Sequence, residues 1–248
     1  MAIRVLLVGA SGKVGTAIAP LLAAAPDVDY AGGIGRETDL FAALRDRRPQ
    51  AIVDFTHPSV GLEHALLAAE NGVAPVVGTS GITAGGVDQI EKACSEHGVG
   101  GIVAPNFAIG AVVMMWLAEK AAPHFDAAEI IEAHAATKID APSGTAVATA
   151  RRLAAARTER PFSYARAGKV LVEGARGAVA ENVAVHSVRL PGLVGDQQVV
   201  FGLPGQTLTI EHRTTSREAY APGVLLALRR VVADKRFYRG LDALLGLE

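Results

Sequence analysis

Short apolar runs alternate with longer, helix-length segments over the first hundred residues. Ile3 to Val8, broken only by Arg4, has the length of a buried strand. Gly12 to Ala24 reads as a helix, Val28 to Ile34 as a second strand, Leu40 to Arg48 as a helix and Ala51 to Phe55 as a strand. Pro58 to Glu70 is a further helix, which Asn71-Gly72 stops. Pro75 to Val77, Val87 to His97 and Gly101 to Ala104 continue as strand, helix and strand. Strands alternating with helices predict βαβ units and a parallel sheet.

Past residue 105 the rhythm changes. Ile109 to Ala122 is one long apolar helix, in which Met114, Met115 and Trp116 read as core. Ala128 to His134 is a strand, Thr145 to Arg157 a helix, and Pro161 to Ala180 a loop containing Gly and Arg. Three strand-like runs follow, Asn182 to Leu190, Gln198 to Leu203 and Thr207 to His212, before Gly223 to Val232 returns to helix. With no helix between them, those three runs are expected to pair antiparallel. The fold class is therefore α/β: a Rossmann-like parallel sheet at the N-terminal side, then an α+β domain with an open mixed or antiparallel sheet.

The 248 residues suffice for one or two domains with a real core. A formal net charge of −1 gives no broad electrostatic footprint, so neither nucleic acid nor an acidic membrane is an expected partner. Cys94 is the one cysteine, which rules out a disulfide within the chain and suits a reducing compartment. The apolar start, MAIRVLLVGA, is broken by Lys13, too early for a membrane span. A cytoplasmic protein is expected. The histidines (His57, His64, His97, His124, His134, His186, His212) are scattered, with no HExxH or cysteine cluster, so no metal is expected. His57 and His186 read as structural or substrate-adjacent.

VGASGKVG, Val8 to Gly15, lies between the first strand and the first helix, with Gly9, Gly12 and Gly15 at dinucleotide-loop spacing. Glycine lets the backbone approach a pyrophosphate, and the helix N-terminus offers free N–H groups and partial positive charge. An NAD site usually has Asp or Glu at the end of the second strand. Here Gly35 and Arg36 stand there, and a guanidinium suits the 2′-phosphate of NADP. VVGTSG (Val76 to Gly81) and APNFAIG (Ala104 to Gly110) each follow a strand, which places them at the same ligand-facing edge. Thr79 and Asn106 are candidates for the nicotinamide-side ribose and carboxamide.

EAHAATKIDAPSGTA, Glu132 to Ala146, carries the second set of candidates. His134 ends a strand and can act as an acid or base. Lys138 adds positive charge and a movable proton donor. Ser143 or Thr145 can cap the next helix, with Gly144 opening its N–H groups to a carboxylate or phosphate.

Taken with VDFTHP, VHSVRLPGLVG and FGLPGQTLTIEHRTTSR, these motifs run in order along nearly the whole chain. The sequence resembles the 4-hydroxy-tetrahydrodipicolinate reductase family. That resemblance implies reduction of a small-molecule dicarboxylate, 4-hydroxy-tetrahydrodipicolinate, with NADPH, NADH or both, in diaminopimelate and lysine biosynthesis. It implies a dinucleotide-binding domain from residues 1–105 and 217–248, and a substrate-binding and oligomerisation domain, residues 106–216, that forms a homotetramer. It assigns catalysis to His134 and Lys138, and the substrate carboxylate to Ser143, Gly144 and Thr145. Cofactor contacts fall on Gly9, Ala10, Ser11, Gly12, Lys13, Val14, Arg36, Gly78, Thr79, Ser80, Ala104, Pro105, Asn106 and Phe107. The chain departs from the family's paired histidines: Ala135 stands where the second would be, and Thr137 precedes the lysine. That departure keeps two alternatives open, a related NAD(P)-dependent imine or amino-acid dehydrogenase with another substrate, and a non-catalytic NAD(P)-binding protein.

Overall fold

Strand and helix alternate through the first of two units in a computed structural model that describes residues 2–157 and 159–247. This unit comprises the chain to Ile109 and again from Arg217 onward. It runs β1 (Ile3–Val8), α1 (Lys13–Ala24), β2 (Val28–Ile34), α2 (Leu40–Arg47), β3 (Ala51–Asp54), α3 (Pro58–Glu70), β4 (Ala74–Val77), α4 (Ala84–Glu96) and β5 (Gly101–Val103). The six-stranded sheet has the order β2-β1-β3-β4-β5 and then a strand near the C-terminus, every pair parallel. β3 and β4 are buried throughout, as strands covered on both faces must be. Helices fill both sides: Leu40 and Leu44 join Leu6, Val8 and Ile52, while Ala65, Ala69, Ile90 and Cys94 pack with Val77. Chain order reverses at β1 and β3, the switch point where such sheets bind ligands beyond their carboxyl ends.

Gly110 to Ser216 form the second unit. α5 (Ile109–Ala121) leads into β6 (Ala127–His134), α6 (Gly144–Ala155), β7 (Ala178–Ala180), β8 (Val183–Arg189), β9 (Gly195–Leu203) and β10 (Gln206–His212). The sheet order is β10-β9-β6-β8-β7. β9 runs antiparallel to β6 and β10, but β8 runs parallel to β6 and does not pair with β9. The expectation of antiparallel pairing among the last three strands is thus corrected for β8. Its partner is β6, and α6 between them supplies the crossover that a parallel pair requires. β7 lies inside the segment expected to be loop. Met114 and Met115 are buried as expected, but Trp116 is only half-buried.

The chain returns to the first unit through α7 (Ala221–Asp234), β11 (Phe237–Arg239), which adds to the sheet beside β5, and α8 (Asp242–Leu245). Among the described residues, no helix is long and apolar enough to cross a membrane.

Candidate active site

The first unit presents its glycine loop between β1 and α1. Gly9 has φ +85°, and a Cβ there would lie 2.7 Å from the Phe55 carbonyl oxygen. A Cβ on Gly15 would lie 2.2 Å from the Gly9 oxygen, so turn and helix approach as only glycine permits. Gly12 begins α1 without a side-chain cap, which leaves the first amides open to an anion. Gly9, Ser11, Gly12, Arg36, Phe55, Thr56, His57 and His64 line a cleft of about 810 Å³ beside this loop. Lys13 is exposed, while Ala10 and Val14 are half-buried. β2 ends at Ile34, and the exposed Arg36 lies two residues on with no acid at the strand end. The glycine cradle, the open helix start and the guanidinium all fit a phosphorylated dinucleotide.

Gly78, Thr79 and Ser80 follow β4, and Ala104, Pro105, Asn106 and Phe107 follow β5. The side-chain oxygens of Thr79 and Asn106, both expected at the nicotinamide end, each make a hydrogen bond within the unit. Thr79 Oγ1 donates to Asp54 Oδ1 at 2.6 Å, and Asn106 Oδ1 accepts from the Ala108 amide at 2.8 Å. Ala104 and Phe107 are buried, the Phe107 ring edge-on to Phe55 at 5.8 Å. Ser80 and Pro105 are exposed in these loops, and Gly78 and Asn106 are half-buried. Sequence reasoning missed the group beneath them: Asp54, fully buried, also accepts from the amide and hydroxyl of Thr56 and meets His64 Nδ1 at 2.8 Å.

The second unit gathers the other candidates. His134 ends β6, and its Nδ1 lies 2.6 Å from Oε2 of Glu132, which is 0% exposed. Arg189, paired with His134 in register at the end of β8, donates from Nη1 to Glu132 Oε2 at 2.9 Å and from Nη2 to Oε1 at 2.8 Å. The Ser143 amide donates to the same Oε1 at 3.2 Å. Burial pushes the Glu132 carboxyl up, but Arg189, Ser187 and His134 together hold it below its ordinary range. Neither Glu132 nor Arg189 was singled out from sequence. Glu-x-His on a strand was the available signal, because positions two apart share a face.

Lys138 Nζ donates to both oxygens of Asp140, at 2.8 and 2.9 Å, and this bond lowers the Asp140 pKa. The Lys138 amide bonds the Ala135 carbonyl at 3.0 Å, so the plain residues between His134 and Lys138 form a turn. Ser143 is buried: its hydroxyl accepts from the Ala146 amide at 3.1 Å and caps α6. With its amide on Glu132, Ser143 builds the loop rather than facing outward. Gly144 starts α6 exposed, with open space where a Cβ would stand, and Thr145 follows it half-buried. Among the described residues, no group of His, Cys, Asp and Glu could hold a metal ion.

Residues 3–107 match the family described as dihydrodipicolinate reductase, N-terminus, and residues 110–245 the corresponding C-terminus. A 4-hydroxy-tetrahydrodipicolinate reductase of Moorella thermoacetica is 44% identical, with 98% of each chain covered. One of Mycolicibacterium gilvum is also 44% identical, covering 98% of this chain and 99% of the relative. The solved structure of a dipicolinate-bound dihydrodipicolinate reductase from Paenisporosarcina sp. TG-14 matches with a TM-score of 0.87 at 34% identity, over 98% of this chain and 99% of that one.

Proposed function

The chain belongs to the dihydrodipicolinate reductase family, and from that premise we propose which of its own groups bind and reduce the substrate. It is an NAD(P)H-dependent oxidoreductase that converts 4-hydroxy-tetrahydrodipicolinate to tetrahydrodipicolinate in diaminopimelate and lysine biosynthesis. Reduced nicotinamide supplies the hydride. The α1 amides and Gly9 to Val14 hold the pyrophosphate, and Arg36 receives a 2′-phosphate when NADPH is bound.

In the second unit, the Gly144 and Thr145 amides and the Lys138 ammonium hold a carboxylate of the substrate. Their positive charge draws electrons from the conjugated imine and stabilises the charge that develops as hydride adds. The 4-hydroxyl leaves with a neighbouring ring hydrogen as water, which gives the conjugated imine, and Lys138 or His134 donates the proton that balances the added hydride. The observation that supports this reading is the open start of α6 at Gly144, six residues along the same loop from a lysine held by one exposed carboxylate.

A homotetramer is the proposed assembly. Alternate residues of β6 leave Glu129 and Ile131 on an open face, and Val170, Leu171 and Val172 are exposed in the long loop before β7. The cytoplasm is the proposed compartment, consistent with a single buried thiol.

Lys138→Ala tests the assignment. Turnover should fall by roughly two to four orders of magnitude, while NADPH binding, measured by fluorescence titration, stays unchanged. Surviving turnover would remove Lys138 from the mechanism.

A further inference from the structure

We propose that the buried Glu132–Arg189 pair is a positioning device that selects which nitrogen of His134 exchanges the proton and anchors the carboxylate-binding loop to that histidine. The proposal rests on the reductase reading above. An ionised carboxylate has no hydrogen to give. The 2.6 Å contact between Glu132 Oε2 and His134 Nδ1 therefore places the ring hydrogen on Nδ1. Nε2 is left to exchange a proton with the substrate. It lies 3.4 Å from where a Cβ on Gly195 would stand, so glycine at this position keeps that nitrogen uncovered.

Arg189 makes the ionised state of Glu132 tenable. Its fork meets both carboxylate oxygens, whereas an unpaired carboxylate at this depth would carry a large desolvation cost. The pair also grips the loop from Lys138 to Ser143 at two points. Glu132 Oε1 accepts from the Ser143 amide, immediately before Gly144. Arg189 Nη2 donates to the main-chain oxygen of Asp140 at 2.8 Å, and Asp140 is the residue whose side chain holds Lys138. Imidazole, ammonium and helix start therefore share one anchor. A salt bridge serving stability alone would have no reason to set the histidine tautomer.

Long-range proton–nitrogen NMR of the full-length protein reads that tautomer directly, with His134→Asn identifying the resonances. The expected neutral ring carries its hydrogen on Nδ1, and a hydrogen on Nε2 alone overturns the proposal without any variant of the pair. The E132Q/R189M double variant then removes both charges together and leaves no buried charge unpaired. Its kcat should drop on the order of tenfold to a hundredfold with a KM for NADPH within roughly twofold of wild type. Its His134 should show both tautomers. A wild-type kcat, or a retained Nδ1–H spectrum, would sink the idea. If wild-type protein itself fails to reduce 4-hydroxy-tetrahydrodipicolinate, the reductase reading fails, an outcome distinct from a change confined to the variant.

Discussion

Asp54 in the first unit and Glu132 in the second are both fully buried, and each meets Nδ1 of a histidine, at 2.8 and 2.6 Å. Their remaining partners differ. Asp54 Oδ1 accepts from neutral donors, the Thr56 amide at 3.0 Å and the hydroxyls of Thr56 and Thr79 at 2.7 and 2.6 Å. Glu132 is gripped by the guanidinium of Arg189. Hydroxyls and an amide suffice where the task is to brace the two loops that follow β3 and β4. A full counter-charge appears beside His134, the ring to which we assign proton exchange, and it favours the ionised carboxylate there. Similar carboxylate–imidazole contacts thus have neutral partners in one unit and a full counter-charge in the other, where the proposed mechanism places the proton transfer.

Arg189 is where this contrast can be broken most sharply. Arg189→Met leaves a buried charge without its partner, which should cost about 3–5 kcal/mol of stability. Thr79→Val removes one neutral donor from Asp54 and should cost about 1–3 kcal/mol. Urea denaturation of both variants measures the difference. Equal losses would mean that the guanidinium does no more for its carboxylate than a hydroxyl does.

Acid sharpens the same point. Burial raises the Glu132 carboxyl, but Arg189, Ser187 and His134 outweigh it, and the folded pKa lies below the ordinary 4.5. A depressed folded pKa contributes stability that is complete above the unfolded value and is lost as pH falls through the folded one. Between about pH 5 and pH 3, the E132Q/R189M variant should therefore lose stability less steeply than wild type. An unchanged slope would show that the pair carries no proton linkage.

Much of this was legible in the chain because local rules acted alone. The apolar runs at Ile3–Val8 and Val28–Ile34, and the Pro-opened, Asn-Gly-stopped helix at Pro58–Glu70, appear with the bounds their patterns give. Legibility ended where distant segments had to meet. β11 is three residues next to Lys235 and Arg236, and its strand character comes from pairing with β5. The pattern predicts antiparallel pairing of β8 with the strands that follow it, yet β6 lies between β8 and β9. In the candidate site, His134, Lys138 and Gly144 announced themselves by chemistry within one short stretch. Arg189 is 57 residues from the carboxylate it holds, and register alone puts it there. For Thr79, nothing in the sequence signalled that its hydroxyl would bond Asp54, 25 residues away.

The effect most confined to ligand binding belongs to Ala135, whose methyl side chain has no hydrogen-bonding group to offer either carboxylate network. Its carbonyl accepts from the Lys138 amide at 3.0 Å, so the turn is held by main chain and does not depend on the side chain. Ala135→His should therefore leave stability and NADPH affinity unchanged while restoring the family's second histidine. A donor regained at a buried substrate oxygen is worth about 1–3 kcal/mol, roughly tenfold to a hundredfold in affinity. Titration calorimetry with pyridine-2,6-dicarboxylate reads this without turnover. Tighter binding in Ala135→His, with the Nδ1–H state of His134 unaltered, would separate substrate grip at 135 from proton placement at 134. Unchanged affinity would mean that position 135 does not face the dicarboxylate, and that this chain holds its substrate through Lys138 and the start of α6 alone.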